Sequence, residues 1–138
     1  MELDNFFTHG FVLFEEPNAH ERTDFYDFLA EKYLGQIFPS WELVEVSYSE
    51  AVVPEDRITV WHNDSKFGMN ITFLYYMDDM SPEVGGSISI RNGLYEKTIY
   101  PKAGTLIMLS QQPNVQHKAE YSTIRRRMYN IDYKVTGL

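Results

Sequence analysis

The spacing of apolar residues changes near residue 42, where helical periodicity gives way to alternation. Within residues 18–35, apolar side chains recur at intervals of three and four, which predicts one amphipathic helix. These side chains are Phe25, Phe28, Leu29 and Tyr33. Asn18 is a candidate N-cap, and Gly35 is placed to end the helix. A short apolar run at residues 10–15 predicts a strand before the helix.

From residue 43 onwards, short runs of alternating or apolar residues are separated by turn residues, as in antiparallel β proteins. The predicted strands are residues 43–48, 57–64, 69–77, 86–92, 95–101, 104–110, 115–121 and 125–135. This spacing predicts a mainly β fold of the jelly-roll kind, with an N-terminal strand and one supporting helix. We expect a single domain, 1–138, with 1–42 as N-terminal scaffold and 43–138 as jelly-roll core.

Composition and charge exclude several classes of protein. The chain has no cysteine, which excludes disulfide scaffolds, thiolate zinc sites and cysteine nucleophiles. A net charge of −8 opposes binding to nucleic acid, whose phosphates carry the same sign. No apolar run reaches the roughly 18 residues of a membrane span, and the N-terminus lacks the pattern of a secretory signal. We therefore expect a soluble, cytoplasmic protein that binds neither nucleic acid nor membrane.

Two histidines and one aspartate in strand-like sequence are the candidate chemistry of the chain. His62 and Asp64 are two positions apart, so alternation along a strand places both side chains on one face. His117 lies in a later predicted strand. Two imidazoles and one carboxylate form the facial ligand set of non-haem Fe(II) sites and leave coordination positions open. A structural zinc site would need a fourth ligand, so this set favours a catalytic metal.

Arginines at the start of the last predicted strand add a second candidate feature. Alternation along residues 125–135 places Arg127 on the face that continues into Tyr129 and Ile131, and this more apolar face is expected to be the interior. Arg126 is expected to lie on the opposite, solvated face. A buried guanidinium needs an anionic partner, since an unpaired buried charge costs several kcal/mol. A dicarboxylate ligand would supply that partner through paired, charge-assisted hydrogen bonds.

Taken together, motifs over residues 57–135 are similar to those of a known enzyme family. The motifs are His62-x-Asp64, His117 with an arginine shortly after it, "NITFLYYMDDMSPEVGGSISI", "IYPKAGTLIML" and "VQHKAEY". They resemble the 2-oxoglutarate- and Fe(II)-dependent oxygenases, especially the prolyl-4-hydroxylase branch, in which an acidic loop and a Gly-Gly pair follow a strand ending in "YL" or "YM". The resemblance implies a double-stranded β-helix and hydroxylation of an unactivated C–H bond, such as that of a prolyl residue in a peptide or protein.

The resemblance also implies a role for each matching residue. His62, Asp64 and His117 would bind Fe(II). Arg127 would pair with the distal carboxylate of 2-oxoglutarate, and Tyr76 would donate its hydroxyl to the same group. The implied cofactors are Fe(II), 2-oxoglutarate as co-substrate and O₂, and the resemblance also allows ascorbate.

Three further residues are secondary candidates. Arg126 is the alternative anchor for 2-oxoglutarate, because the spacing from the histidine varies by one residue in the family. Ile88 matches a family position that faces the pocket, and Arg91 is placed on the substrate side near its mouth. Larger members of the branch have longer N-terminal regions that help to hold a peptide. The substrate is therefore left open between a peptide or protein and a small molecule.

Two other functions fit the predicted fold. The first is a cupin-like metal enzyme that does not use 2-oxoglutarate, although such enzymes usually use more histidine ligands and this chain has four histidines. The second is a non-enzymatic jelly-roll binding module, which explains the strands and the aromatic residues. Such a module does not explain a buried arginine together with two histidines and an aspartate.

Overall fold

The computed structural model of the protein describes residues 4–52, 60–64 and 70–136. In this part of the chain the helices are α1 (Asp4–His9) and α2 (Phe25–Tyr33), with short 3₁₀ turns at Ala19–Glu21 and Leu34–Gln36. The strands are β1 (Phe11–Glu15), β2 (Trp41–Ala51), β3 (Ile71–Tyr76), β4 (Ile88–Asn92), β5 (Tyr95–Ile99), β6 (Thr105–Ser110), β7 (Val115–Ala119) and β8 (Arg126–Val135). No helix in these ranges is long and apolar enough to cross a membrane.

The strands form two antiparallel sheets that face each other. The large sheet has the order β1-β6-β3-β8-β2, and the small sheet has the order β5-β4-β7. Side chains from both sheets meet in one inner cluster, which includes Leu74 and Ile107 of the large sheet and Ile90 and Val115 of the small one. The predicted mainly β, jelly-roll class is thereby confirmed, and the first strand joins the large sheet by pairing with β6.

Helix α2 covers the outer face of the large sheet. Its buried Phe25, Leu29 and Tyr33 pack in an outer cluster with Phe73 of β3 and Ile131 of β8. Phe28, which was predicted to share this buried face, is only partly buried and lies under the Arg22 guanidinium at 4.1 Å. The helix is therefore a scaffold on the side of the sheet that faces away from the small sheet.

The helix begins later than the sequence predicts. Asn18 adopts a left-handed conformation with φ 60° and makes no side-chain cap, so residues 19–21 form a separate 3₁₀ turn. The α-helix starts only at Phe25, after the turn residues 22–24. Helix α1 was not predicted, because six residues are too few to display a helical period.

The two faces of β8 are assigned the other way round from the prediction. Met128 pairs with Tyr76 and so shares the inner face, and Arg126, two residues away, lies on the same side. Tyr129 pairs with Tyr75 on the outer face against α2. The expectation that Arg127 is the interior guanidinium is wrong: 42% of its side chain is exposed, and its Nη2 lies 2.7 Å from Asp78 Oδ1. Both faces of β8 are covered, and the more apolar one is covered by the helix.

Candidate metal centre

Two of the candidate ligands are placed by backbone pairing. His117 lies in the middle of β7, and His62 forms an isolated antiparallel bridge with it. The His62 N–H donates to the His117 carbonyl at 3.0 Å, and the His117 N–H donates to the His62 carbonyl at 2.8 Å. Of the predicted strand at residues 57–64, residues 57–59 lie outside the described residues. The bridge alone is enough to bring the two imidazole rings to a centroid separation of 4.3 Å.

Asp64 closes the cluster. Its Oδ1 lies 3.3 Å from His62 Nε2, and its Oδ2 lies 3.0 Å from His117 Nε2. One ligand atom from each residue lies within 4.8 Å of the others. The structure therefore brings together the three residues that the sequence singled out as metal ligands, although His117 is 53 positions after Asp64 in the chain.

The donor set fits a single divalent ion. Donors about 2.1 Å from one ion and at right angles to each other are separated by about 3 Å. His117 Nε2 lies 3.0 Å from Asp64 Oδ2, which matches this value, and His62 Nε2 lies 3.3 Å from the other carboxylate oxygen, Oδ1. The second ring nitrogen of His62, Nδ1, lies 3.0 Å from the carbonyl oxygen of Val60, which turns Nε2 towards the cluster. Two imidazoles and one carboxylate on one side of an ion leave positions for further ligands.

Burial decreases across the cluster from one side to the other. The His117 side chain is 8% exposed, that of Asp64 is 29% exposed, and that of His62 is 43% exposed. Small molecules and solvent can therefore reach the cluster from the His62 side, while the His117 side is closed by the sheets.

Arg126 forms a second feature of the interior. It is 8% exposed, and within the described part of the chain its Nε and Nη1 are buried without a hydrogen-bond partner. Its guanidinium carbon lies 5.9 Å from the centroid of the Tyr76 ring. Burial raises the pKa of Tyr76 to about 12, against a smaller opposing effect of the Arg126 charge, so the phenol stays neutral at physiological pH. A buried cation with unused donors beside a neutral hydroxyl group is suited to an anion.

The other predicted site residues lie on different sides of the small sheet. Ile88 is 3% exposed and packs in the inner cluster with Tyr76. Arg91 points the other way: its Nη2 and Nε donate to Gln116 Oε1 at 2.7 and 2.9 Å, and its guanidinium lies 4.4 Å from the Trp61 ring. Arg91 therefore does not face the inner cluster, and its placement on the substrate side near the mouth of the pocket stays a prediction.

Sequence reasoning did not single out two residues that have buried polar atoms near these features. Asn130 has a buried Oδ1 with no hydrogen-bond partner among the described residues, and its strand position is opposite Leu74 of the inner cluster. Gln111, 4% exposed, accepts a hydrogen bond from the Asp64 backbone. The available signal was the polar character of one face of β8 and the glutamine directly after the apolar strand β6.

The architecture is shared with solved oxygenases. A prolyl-4-hydroxylase of Pseudomonas putida superposes with a TM-score of 0.69 at 14% identity, over 99% of this chain and 92% of that one. A Trichoplax adhaerens prolyl hydroxylase was solved in complex with a peptide fragment of the hypoxia inducible factor oxygen degradation domain. It superposes with a TM-score of 0.66 at 14% identity, over 91% of this chain and 63% of that one. A viral collagen prolyl hydroxylase of Paramecium Bursaria Chlorella virus-1, solved as a 2-oxoglutarate complex, superposes with a TM-score of 0.63 at 14% identity, over 94% of this chain and 80% of that one.

These matches define the class of fold. The chain has the fold of the prolyl hydroxylases and other 2-oxoglutarate/Fe(II) oxygenases, which confirms the predicted resemblance at the level of the fold. It spans 63% of the length of the Trichoplax structure. No family model and no curated protein matches the sequence.

Proposed function

We propose that the protein is an Fe(II)- and 2-oxoglutarate-dependent dioxygenase that hydroxylates an unactivated C–H bond. The observation that carries the proposal is the His62–Asp64–His117 cluster, in an oxygenase fold whose interior also contains a buried arginine with unused donors. A cupin-like enzyme without 2-oxoglutarate accounts for the cluster but gives the arginine no anionic partner. A binding module without a metal accounts for neither feature.

Each residue has a distinct task in this proposal. His62, Asp64 and His117 hold Fe(II) and leave positions for ligands. Arg126, rather than Arg127, binds the distal carboxylate of 2-oxoglutarate through its unused Nε and Nη1, and Tyr76 donates its hydroxyl beside it. When bound, Fe(II) and 2-oxoglutarate supply O₂-dependent oxidation of a C–H bond coupled to decarboxylation of 2-oxoglutarate to succinate.

The inner cluster supports this chemistry by excluding water. Ile88 and Leu74 are buried beside Tyr76, so the anion site lies against apolar side chains. An apolar surrounding strengthens the pairing between a guanidinium and a carboxylate, since water competes less for either group. The more exposed His62 side of the cluster is then the side from which a substrate approaches.

The proposed substrate is a prolyl residue of a peptide or protein. This step is supported by the likeness to prolyl hydroxylases, one of which was solved with a peptide. The cluster is open on its His62 side, which gives an extended chain a route to the metal. A small molecule as substrate is the alternative that a substrate screen distinguishes.

Calorimetric titration tests the co-substrate. The unmodified protein is titrated with 2-oxoglutarate in the absence of O₂, with and without Mn(II) as a redox-inert replacement for Fe(II). We expect binding that requires Mn(II). Mn(II) binding with no response to 2-oxoglutarate would instead indicate the cupin-like alternative, and no binding of either would indicate a binding module.

A turnover assay tests the substrate. With Fe(II), 2-oxoglutarate and O₂, a panel of proline-containing peptides is compared with the same peptides carrying alanine in place of proline, and with small molecules. We expect succinate release to rise only with proline-containing peptides and one product to gain a single oxygen atom by mass spectrometry. Equal succinate release with both peptide sets would contradict the prolyl assignment while leaving the co-substrate assignment intact.

A further inference from the structure

A chain of buried polar side chains connects the backbone of Asp64 with β8. The Asp64 N–H donates to Gln111 Oε1 at 3.2 Å, and Gln111 Nε2 donates to Thr72 Oγ1 at 2.7 Å. Thr72 Oγ1 donates in turn to Asp132 Oδ1 at 2.8 Å. These hydrogen bonds run from the connection after β6, through the second residue of β3, to the C-terminal half of β8.

The three side chains are buried deeply. Gln111 is 4% exposed, Thr72 is 0% exposed and Asp132 is 5% exposed. Buried polar groups are kept in a fold when each has its hydrogen bonds, because an unsatisfied one costs more than an apolar replacement. A continuous chain in such a position is therefore a fixed feature of the fold rather than a solvated contact.

The order of donors and acceptors fixes the orientation of the Gln111 amide. A threonine hydroxyl has one hydrogen, and Thr72 gives it to Asp132, so its oxygen is left to accept. Gln111 must therefore turn its NH₂ group towards Thr72 and its carbonyl oxygen towards Asp64. Asp132 thus determines, through two intermediate residues, that an acceptor faces the Asp64 N–H.

The backbone of Asp64 is held in part by this contact with Gln111. It lies outside a strand, two residues after the isolated bridge at His62. Gln111 is itself anchored, since its N–H donates to the Asn70 carbonyl at 3.1 Å. Asn63, between the two proposed ligands, donates to the Val115 carbonyl at 2.9 Å. Residues 62–64 are therefore attached to the start of β7.

We propose that Gln111 is a positioning residue for the metal centre. It acts through the backbone of Asp64, and Thr72 and Asp132 orient it. The inference rests on the proposed metal site and adds residues that a ligand motif does not contain. Partners that orient ligands from outside the coordination sphere change metal affinity about 10–100-fold when removed, so we expect an effect of this size from Gln111.

The test measures the Mn(II) dissociation constant of variants of the full chain, by titration, together with the melting temperature of each metal-free protein. Gln111→Met removes the acceptor and the donor at similar volume, and we expect Mn(II) affinity to fall about 10–100-fold. Thr72→Val breaks the hydrogen-bond chain one step further from Asp64 and is expected to weaken Mn(II) binding less. Thr72→Ser keeps the hydroxyl group and is expected to bind Mn(II) as tightly as the unmodified protein. Gln112→Met is the matched control, since the Gln112 side chain is exposed, and is expected to change nothing.

A double variant distinguishes a connected chain from separate contacts. If the residues act in series, Gln111→Met combined with Thr72→Val binds Mn(II) no more weakly than Gln111→Met alone. Additive losses of Mn(II) binding free energy in the double variant would contradict a connected chain of hydrogen bonds. A Gln111→Met protein with a lower melting temperature but unchanged Mn(II) affinity would overturn the positioning role and leave a structural one.

Two further results of these measurements would also decide against Gln111 as a positioning residue. If Gln111→Met does not fold, Thr72→Val decides, and unchanged Mn(II) affinity in that variant overturns the inference. If the unmodified protein does not bind Mn(II), the metal site itself fails, and the inference fails with it. A failure of the positioning role alone leaves Mn(II) binding and the proposed function in place.

Discussion

The two faces of the large sheet serve different purposes. The outer face is almost entirely apolar and packs against α2 through Phe73, Tyr75, Ile131 and Tyr133. The inner face mixes apolar side chains with polar ones, and on β8 it carries Arg126, Asn130 and Asp132. In a sheet covered on both sides, the more apolar face marks the side that packs against the protein itself. The polar side chains of the inner face are the ones to which the proposed function assigns a ligand.

Arg126 and Arg127 show this difference most clearly, because they are neighbours in one strand. Arg127, on the outer side, has a bidentate partner in Asp78 and a half-exposed side chain. Arg126, on the inner side, is 8% exposed and keeps two buried nitrogen atoms without a partner among the described residues. The outer arginine is neutralised within the protein, whereas the inner one is the arginine that we propose pairs with a bound anion.

The largest expected effect comes from removing an inner histidine. His117→Ala should abolish Fe(II)-dependent succinate formation and Mn(II) binding, because a two-ligand site no longer surrounds the ion. His20→Ala is the matched control, since His20 lies near Tyr75 on the outer face, with ring centroids 5.8 Å apart. Its turnover should match that of the unmodified protein. Full activity of His117→Ala would mean that His117 is not a metal ligand and that the inner face does not contain the active site.

A change in the outer cluster should affect stability and leave ligand binding unchanged. Leu29 is 0% exposed in α2, so Leu29→Ala should cost about 2–5 kcal/mol in the free energy of unfolding. Phe28→Ala should cost less, because Phe28 is only partly buried. Urea unfolding measures both losses. A folded Leu29→Ala protein with weakened Mn(II) or 2-oxoglutarate affinity would mean that the two faces are not independent.

The adjacent arginines test the comparison within one strand. Arg126→Ala should raise the Michaelis constant for 2-oxoglutarate by about two orders of magnitude, since two hydrogen bonds to a charged group contribute about 3 kcal/mol together. Arg127→Ala should raise it less than about threefold, because that side chain is engaged with Asp78. Initial rates over a range of 2-oxoglutarate concentrations give both values. A larger increase of the Michaelis constant in Arg127→Ala than in Arg126→Ala would indicate that Arg127 binds 2-oxoglutarate.

The smallest expected effect concerns the outer ion pair. The hydrogen bonds from Arg127, aided by its charge, hold the pKa of Asp78 below its ordinary value. The pair therefore stabilises the fold fully above the unfolded-state pKa of about 4, and the contribution is lost as pH falls through the lower folded-state value.

Asp78→Asn should accordingly cost about 0.5–1 kcal/mol near pH 7 and almost nothing near pH 2. Urea unfolding of both proteins at the two pH values measures the difference. A loss of equal size at both would indicate that shape, rather than charge, is responsible for the contribution.

Local patterns predicted most of the elements. Alternation and turn residues predicted β2 and β3–β8, because side-chain direction along a strand depends only on neighbouring residues. The start of α2 was misplaced, since whether residues 19–24 continue the helix depends on Asn18, whose backbone adopts a left-handed conformation. The metal ligands were predicted as a set, and the structure brings them together, but their role as ligands stays a proposal.

The sequence by itself determined where most strands lie along the chain, the identity of the three metal-ligand candidates, and the presence of an arginine at the start of β8. It could not determine which arginine lies inside, because alternation divides a strand into two faces without saying what covers each. Only the tertiary structure decided that α2 covers the apolar face, that Asp78 pairs with Arg127, and that Gln111 reaches Asp64. These contacts join residues far apart in the chain, so no local pattern carries them.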